Sequence, residues 1–132
     1  MLKGIVIFFG SIAVGIIVLH TVLQNGSFLK YLDEHPDPRW VPTAEYVVGT
    51  GYYIFQDLQD AATYFIRIVD RYPASSDADD AYFTYVQCLD DMGGKTRGEL
   101  IEYYQQYLER FPKGNHAVMA QNRSDAYRTG VR

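Results

Sequence analysis

A chain of 132 residues and 15.1 kDa has room for one ordinary domain and for no second core of any size. Hydrophobic residues at 48% and charged residues at 21% exclude a disordered or collagen-like chain. A net charge of -4 and a pI near 5.2 argue against a dedicated nucleic-acid binder, which would need clustered cations facing phosphates, and the single cysteine, Cys88, excludes an intrachain disulfide and any multi-cysteine zinc or haem-attachment site.

The first element is apolar. From Gly4 to Gln24 the chain reads GIVIFFGSIAVGIIVLHTVLQ, and no formal charge lies between Lys3 and Lys30. Twenty helical residues, Gly4 to Leu23, reach about 30 Å, the thickness of a bilayer's hydrocarbon core, so the pattern predicts a transmembrane anchor over residues 1–27. The rival is a cleaved signal peptide, but the run is longer than a usual signal core and no small-x-small site closes it. Lys3 marks one side, whereas Lys30 on the other is offset by Asp33 and Glu34; the positive-inside rule therefore expects a cytoplasmic amino terminus and a translocated remainder. Ser11 and Gly15 lie four apart, a small-xxx-small pair that would let a second helix approach, although glycine is also simply common in membrane helices.

The remainder, residues 28–132, repeats. Phe28-Leu29-Lys30-Tyr31-Leu32-Asp33-Glu34-His35-Pro36, Phe65-Ile66-Arg67-Ile68-Val69-Asp70-Arg71-Tyr72-Pro73 and Tyr104-Gln105-Gln106-Tyr107-Leu108-Glu109-Arg110-Phe111-Pro112 share one pattern of aromatic, aliphatic, acid, charged, ring and proline. The prolines stand 37 and 39 residues apart, and Ala44, Ala81 and Ala120 each follow their proline by eight positions. Apolar residues inside each copy fall at helical spacing, and the tract ends at a proline that cannot continue a helix. The expected helices run from about Thr43 to Phe55, Gln59 to Tyr72, Asp77 to Met92 and Glu99 to Phe111, with a capping helix at about 116–127. Gly93-Gly94 absorbs the two extra residues of the longer period, and Asn25-Gly26-Ser27 is the expected kink after the anchor. Ala44, Ala61, Ala81 and Ala120 are expected at close helix contacts.

The pattern resembles the tetratricopeptide repeat, whose paired antiparallel helices stack into a superhelix. Val48-Gly49-Thr50-Gly51-Tyr52 resembles its L-G-x-x-Y signature, Ala61 sits where the second helix carries its small residue, and Tyr72-Pro73 and Phe111-Pro112 match its closing proline. The run from Tyr72-Pro73 to Asp80-Ala81-Tyr82 is similar to periplasmic repeat proteins of the outer-membrane assembly lipoprotein and Tol-Pal-associated type, although no lipoprotein cysteine is present here. A membrane anchor carrying a short periplasmic repeat domain also resembles the ancillary subunit of the Sec translocon. The fold class implied is all-α: one N-terminal transmembrane helix, then a short helical-hairpin stack whose repeats end near Pro36, Pro73 and Pro112. The localisation implied is a single-pass inner (cytoplasmic) membrane protein with its amino terminus cytoplasmic and its repeats periplasmic.

Little in the chain points to catalysis. The histidines are His20, His35 and His116, none in a recognisable catalytic motif, so no catalytic residue and no enzyme activity are expected. His20, in the last turns of the apolar segment, is a weak candidate for ligating a pigment or haem, with interfacial placement as the alternative. Asp77, Asp79 and Asp80 lack the glycine and glutamate of a calcium loop and read as carboxylates capping a helix start; no metal or other cofactor is expected. The aromatic load is high, and Tyr52-Tyr53 and Tyr103-Tyr104 set neighbouring rings about 100° apart, so some must leave the core. With Trp40 these are the partner-binding candidates. Eight acids between Asp57 and Asp91 face only Arg67 and Arg71, whereas Arg110 to Arg132 holds five basic residues against Asp125, which suggests two electrostatic zones or merely a solvated surface.

The expected function is therefore a non-enzymatic adaptor or accessory subunit of a membrane protein complex. Its partners would be proteins of that complex and the lipid bilayer, with no nucleic acid and no small-molecule substrate. The alternative is a small cofactor-ligating subunit of a photosynthetic or respiratory complex using His20, which absorbance of the purified chain would reveal. A pilin-like filament subunit is a third reading, weakened by Phe9 standing where such subunits carry a glutamate.

Overall fold

The computed structural model describes the backbone of residues 2–130 and the side chains of residues 10–130. Over that range the chain is helical, with no strand: α1 (Leu2–Gln24), α2 (Ser27–Glu34), α3 (Val41–Ile54), α4 (Leu58–Arg71), α5 (Ala78–Asp91), α6 (Arg97–Arg110) and α7 (Ala117–Thr129). It divides into two compact units at the Asp37/Pro38 boundary.

The first unit holds α1 and α2. Gly26, at φ 74°, adopts the left-handed backbone that glycine tolerates best, and the Ser27 amide donates to Asn25 Oδ1 at 2.9 Å as the new helix begins. The chain turns by 68° there, at the kink expected from Asn25-Gly26-Ser27. Among the described residues no single helix is long and apolar enough to cross a membrane; Gly10–Gln24 and Ser27–Glu34 meet that length and composition only together, as this bent pair. Residues 4–9 of the expected span have side chains outside the described residues.

The second unit is the stack α3 to α7, and each helix has a local cause. Pro42 in the first turn of α3 needs no amide partner there. Thr96 and Glu99 form a reciprocal capping box at α6, the Thr96 amide donating to Glu99 Oε2 at 2.8 Å and the Glu99 amide to Thr96 Oγ1 at 3.3 Å. These hydrogen bonds from Thr96 hold the Glu99 carboxyl below its ordinary value. Gly93 ends α5 at φ 71°, and Gln56 ends α3 at φ 63°, a left-handed position uncommon for a residue with a side chain.

The internal repeat is present in the backbone. After α4, the Ser75 amide donates to Tyr72 O at 2.9 Å and the Ala78 amide to Ser75 O at 3.1 Å; after α6, Gly114 donates to Phe111 O at 3.0 Å and Ala117 to Gly114 O at 3.1 Å. The residues closing α2, α4 and α6, namely His35, Tyr72 and Phe111, share φ near -130° and ψ near 60°. Trp40, Asp77 and His116, each four residues past its proline, stand at the N-caps of α3, α5 and α7.

The core runs along α4 and α5 and takes in α6 and α7: Phe65, Ile68, Val69, Ala81, Phe83, Val86, Tyr104, Tyr107 and Ala120 are buried together. Ala61, Ala81 and Ala120 are fully buried. Ala44 is only half-buried, because α3 turns Pro42, Glu45 and Gly49 inward at i, i+3 and i+7. Gly49 takes the close contact expected of Ala44: a Cβ there would stand 3.1 Å from Phe65 Cε1 and from Tyr64 Cβ. Glu45 is buried against Arg67, whose Nε donates to its Oε1 at 2.8 Å.

Ala81 is fully buried in the core shared by α4, α5, α6 and α7. Ala81→Leu is expected to destabilise by about 1 to 3 kcal/mol through overpacking, read as a lower melting temperature; an unchanged melt would contradict this packing.

Candidate functional site

The acids that the sequence groups near α5 have partners at both ends of that helix. At its start, Asp77 Oδ2 accepts from the Thr43 hydroxyl at 2.7 Å. Asp79 accepts from the Tyr107 hydroxyl through Oδ1 and from the Asn115 amide through Oδ2 at 2.7 Å. Asp80 Oδ1 meets His116 Nε2 at 2.9 Å, and the His116 ring stacks on Phe83 at 4.4 Å and 8°. At the other end, Asp90 accepts from Tyr104 at 2.8 Å through Oδ2 and from Tyr127 through Oδ1, while Asp91 accepts from Tyr53 at 3.3 Å. This corrects the capping reading of Asp77, Asp79 and Asp80. Asp77 is the N-cap residue, yet its side chain makes no cap bond; the carboxylates bind neighbouring elements and not their own helix.

Burial, reinforced by the hydrogen bond to Asp90, pushes the Tyr104 phenol well above its ordinary value of 10.0, and Tyr107 is raised in the same way by burial and Asp79. Burial raises Tyr64 as well, and its hydroxyl has no hydrogen-bond partner. Cys88 is fully buried, and burial pushes its thiol up to about 12, which keeps it an inert apolar filler.

The partner-binding candidates separate by position. Tyr104 is buried with its hydroxyl on Asp90 and belongs to the core. Tyr52 and Tyr53 are half-buried: the first stacks on Tyr64 at 5.6 Å, the second reaches Asp91. Both are covered on one side because α3 packs on α4 with one flank and approaches α5 with the other. Tyr103 is half-exposed and belongs to a continuous row. Lys95 Nζ lies 5.7 Å over Tyr103; Tyr103 meets Tyr85 edge-on at 6.3 Å; Tyr85 stacks with Tyr82 at 6.2 Å; Arg110 lies 5.8 Å over Tyr82. The adjacency of tyrosines did not single out Tyr82 or Tyr85, neither of which has a neighbouring tyrosine, and Lys95 carried no signal of its own. A cavity of about 300 Å³ beside Tyr103 is lined by Glu99, Glu102 and Gln106. Trp40 is exposed at the start of α3.

On α1, Ser11, Gly15 and His20 are all exposed, and a Cβ at Gly15 would meet nothing within 4 Å. Among the described residues no group of three or more His, Cys, Asp or Glu is placed to hold a metal ion. No protein-family model and no curated protein matches the chain.

Gly114 is where the α5 clamp leaves no space. A Cβ there would fall 2.6 Å from Tyr107 Oη and 2.7 Å from Asp79 Oδ1. Gly114→Ala is expected to lower stability by about 1 to 3 kcal/mol, measured by urea unfolding; a neutral result would show that the clamp is looser than described. The raised phenols predict alkaline sensitivity. A phenol with a higher pKa folded than unfolded contributes stability that is intact below pH 10.0 and lost as pH rises above it, because the unfolded chain then releases protons the folded chain retains. The urea midpoint is expected to fall between about pH 9 and about pH 11, and to fall less steeply in Tyr104→Phe. A midpoint flat across that window would contradict the phenol assignments.

Proposed function

We propose that the chain is a membrane-anchored, non-enzymatic interaction subunit of a membrane protein complex, related in architecture to the tetratricopeptide-like periplasmic proteins it resembles. The apolar segment ending at Gln24 would fix it in the bilayer, and the stack would hold a protein partner at the extracytoplasmic face.

The observation that carries the partner half is the row from Lys95 through Tyr103, Tyr85 and Tyr82 to Arg110. Tyrosines held in fixed orientations offer large contact area at little cost in rotamer entropy, and tyrosine and arginine are enriched at protein interfaces; Lys95, paired with Glu99 at 3.7 Å, closes the row and is not itself a contact group. Tyr85 and Tyr103 are half-exposed, while Tyr82 beneath them is buried and fixes the row to the core.

Purification of the full chain in a mild detergent tests the reading. A partner should co-purify, and Tyr85→Ala together with Tyr103→Ala should cut its recovery about tenfold or more; both rings are half-buried against the core, so the melt of the variant, taken alongside, separates lost contact from lost fold. A chain that runs alone, or that shows turnover when homogeneous, would defeat the proposal. A reporter fused after Arg132 should be active only outside the cytoplasm; cytoplasmic activity would reverse the orientation.

A further inference from the structure

One helix of the stack has a surface unlike the others. Along α3 the charged residues reduce to one, Glu45, and that carboxylate is buried against Arg67. Trp40, Val47 and Ile54 are spaced by seven and lie on one stripe, exposed by 40%, 64% and 67%, and Phe55 beside the last of them is 86% exposed. Thr43 is on the same face, but its hydroxyl already donates to Asp77. A surface helix in water ordinarily turns charged or polar groups outward, and α7 does so with Gln121, Asn122, Arg123, Asp125 and Arg128.

We infer that this face of α3 rests on the lipid surface of the membrane. Two features favour lipid over a protein. A specific protein interface supplies hydrogen-bonding groups around its apolar centre, about one bond per 100 to 200 Å², and this face offers few: the Trp40 indole, the Thr50 hydroxyl and the Thr43 hydroxyl, which already donates to Asp77. Trp40 stands at one end of an apolar stripe about 21 Å long, and its amphipathic indole favours the headgroup level, while Val47, Ile54 and the neighbouring Phe55 supply purely apolar contact. The inference rests on the anchoring proposed above, because only 15 residues separate Gln24 from Trp40, and a tether that short keeps a weakly binding face at high local concentration near the bilayer. With no cation on the face, attachment is apolar and does not depend on anionic lipid.

Trp40 is the only tryptophan of the chain, which makes it the probe. The full chain is reconstituted into phosphatidylcholine vesicles containing brominated acyl chains, and tryptophan quenching is read for the native protein, for Trp40→Phe with Phe55→Trp, and for Trp40→Phe with Leu19→Trp. Quenching and a blue shift at positions 40 and 55, unchanged by anionic lipid or by salt and lost at position 55 when Val47→Glu and Ile54→Glu are added, are the expected results. Quenching at 19 with none at 55 overturns the inference while leaving the anchor in place. Absence of quenching at 19 defeats the anchor and the inference with it. Shielding of position 55 from acrylamide only when a protein partner co-purifies assigns the face to that protein and equally overturns the lipid reading.

Discussion

The stack depends on hydrogen bonds that converge on one helix from three others. Carboxylates at the start and the end of α5 accept from α3, α6 and α7, and five of the donors are side-chain hydroxyls: Thr43, Tyr53, Tyr104, Tyr107 and Tyr127. A helix held at one end can still rotate or slide; held at both, it has its register fixed. That register places Phe83 and Val86 among Tyr104, Tyr107 and Ala120, so the polar ties decide which apolar surfaces meet. The arrangement also answers the cost of burying phenols. The hydroxyls of the buried Tyr104 and Tyr107 would lose their bonds to water on folding, and a carboxylate acceptor returns a stronger bond than a neutral one would. Arg110 adds a second kind of tie, donating to the Val69 carbonyl at 3.1 Å near the end of α4, where free backbone carbonyls accumulate.

The repeat and its helices were legible because their causes are local. A proline, a ring one residue before it and a small residue eight after it mark three helix ends, two of which continue into the same hydrogen-bonded turn, and helical spacing does the rest. The ties to α5 were not legible, because donor and acceptor are far apart in the chain: Tyr107 and Asp79 by 28 positions, Tyr127 and Asp90 by 37. A run of aspartates near a helix start looks the same whether it caps that helix or holds another. Adjacent tyrosines carried partial information. The 100° offset separated buried Tyr104 from half-exposed Tyr103, yet it could not separate Tyr52 from Tyr53, since α3 has a neighbouring helix on either flank.

The same ties change what the chain's charge means. Counting acids from Asp57 to Asp91 suggests a negative face turned to solvent, but Asp77, Asp79, Asp80, Asp90 and Asp91 each hold at least one hydrogen bond inside the stack. Their oxygens are engaged by hydroxyls, a histidine and an amide of neighbouring helices and turns, so these carboxylates tie the stack together and are not merely a solvated face. What the second unit turns outward includes a tyrosine row flanked by two cations on α5 and α6 and an uncharged apolar stripe on α3. The proposed roles follow that division, with a protein on the first and lipid under the second.

The two equivalent turns, after α4 and after α6, follow one backbone course with Ser75 in the first and Gly114 in the second. The difference does not arise in the turn itself, for each residue makes the same pair of backbone bonds. It arises in the neighbour. Asp79 crowds Gly114, and the position equivalent to Asp79 in the preceding copy is Pro42, six residues past its own proline as Asp79 is past Pro73. Residue 114 is therefore conditional on residue 79, and a copy of the repeat transplanted whole would bring its turn without the partner that the turn was fitted to. The units of this stack look interchangeable in backbone and are individually paired in side chain, so sequence drift in one must be matched across the junction in the next.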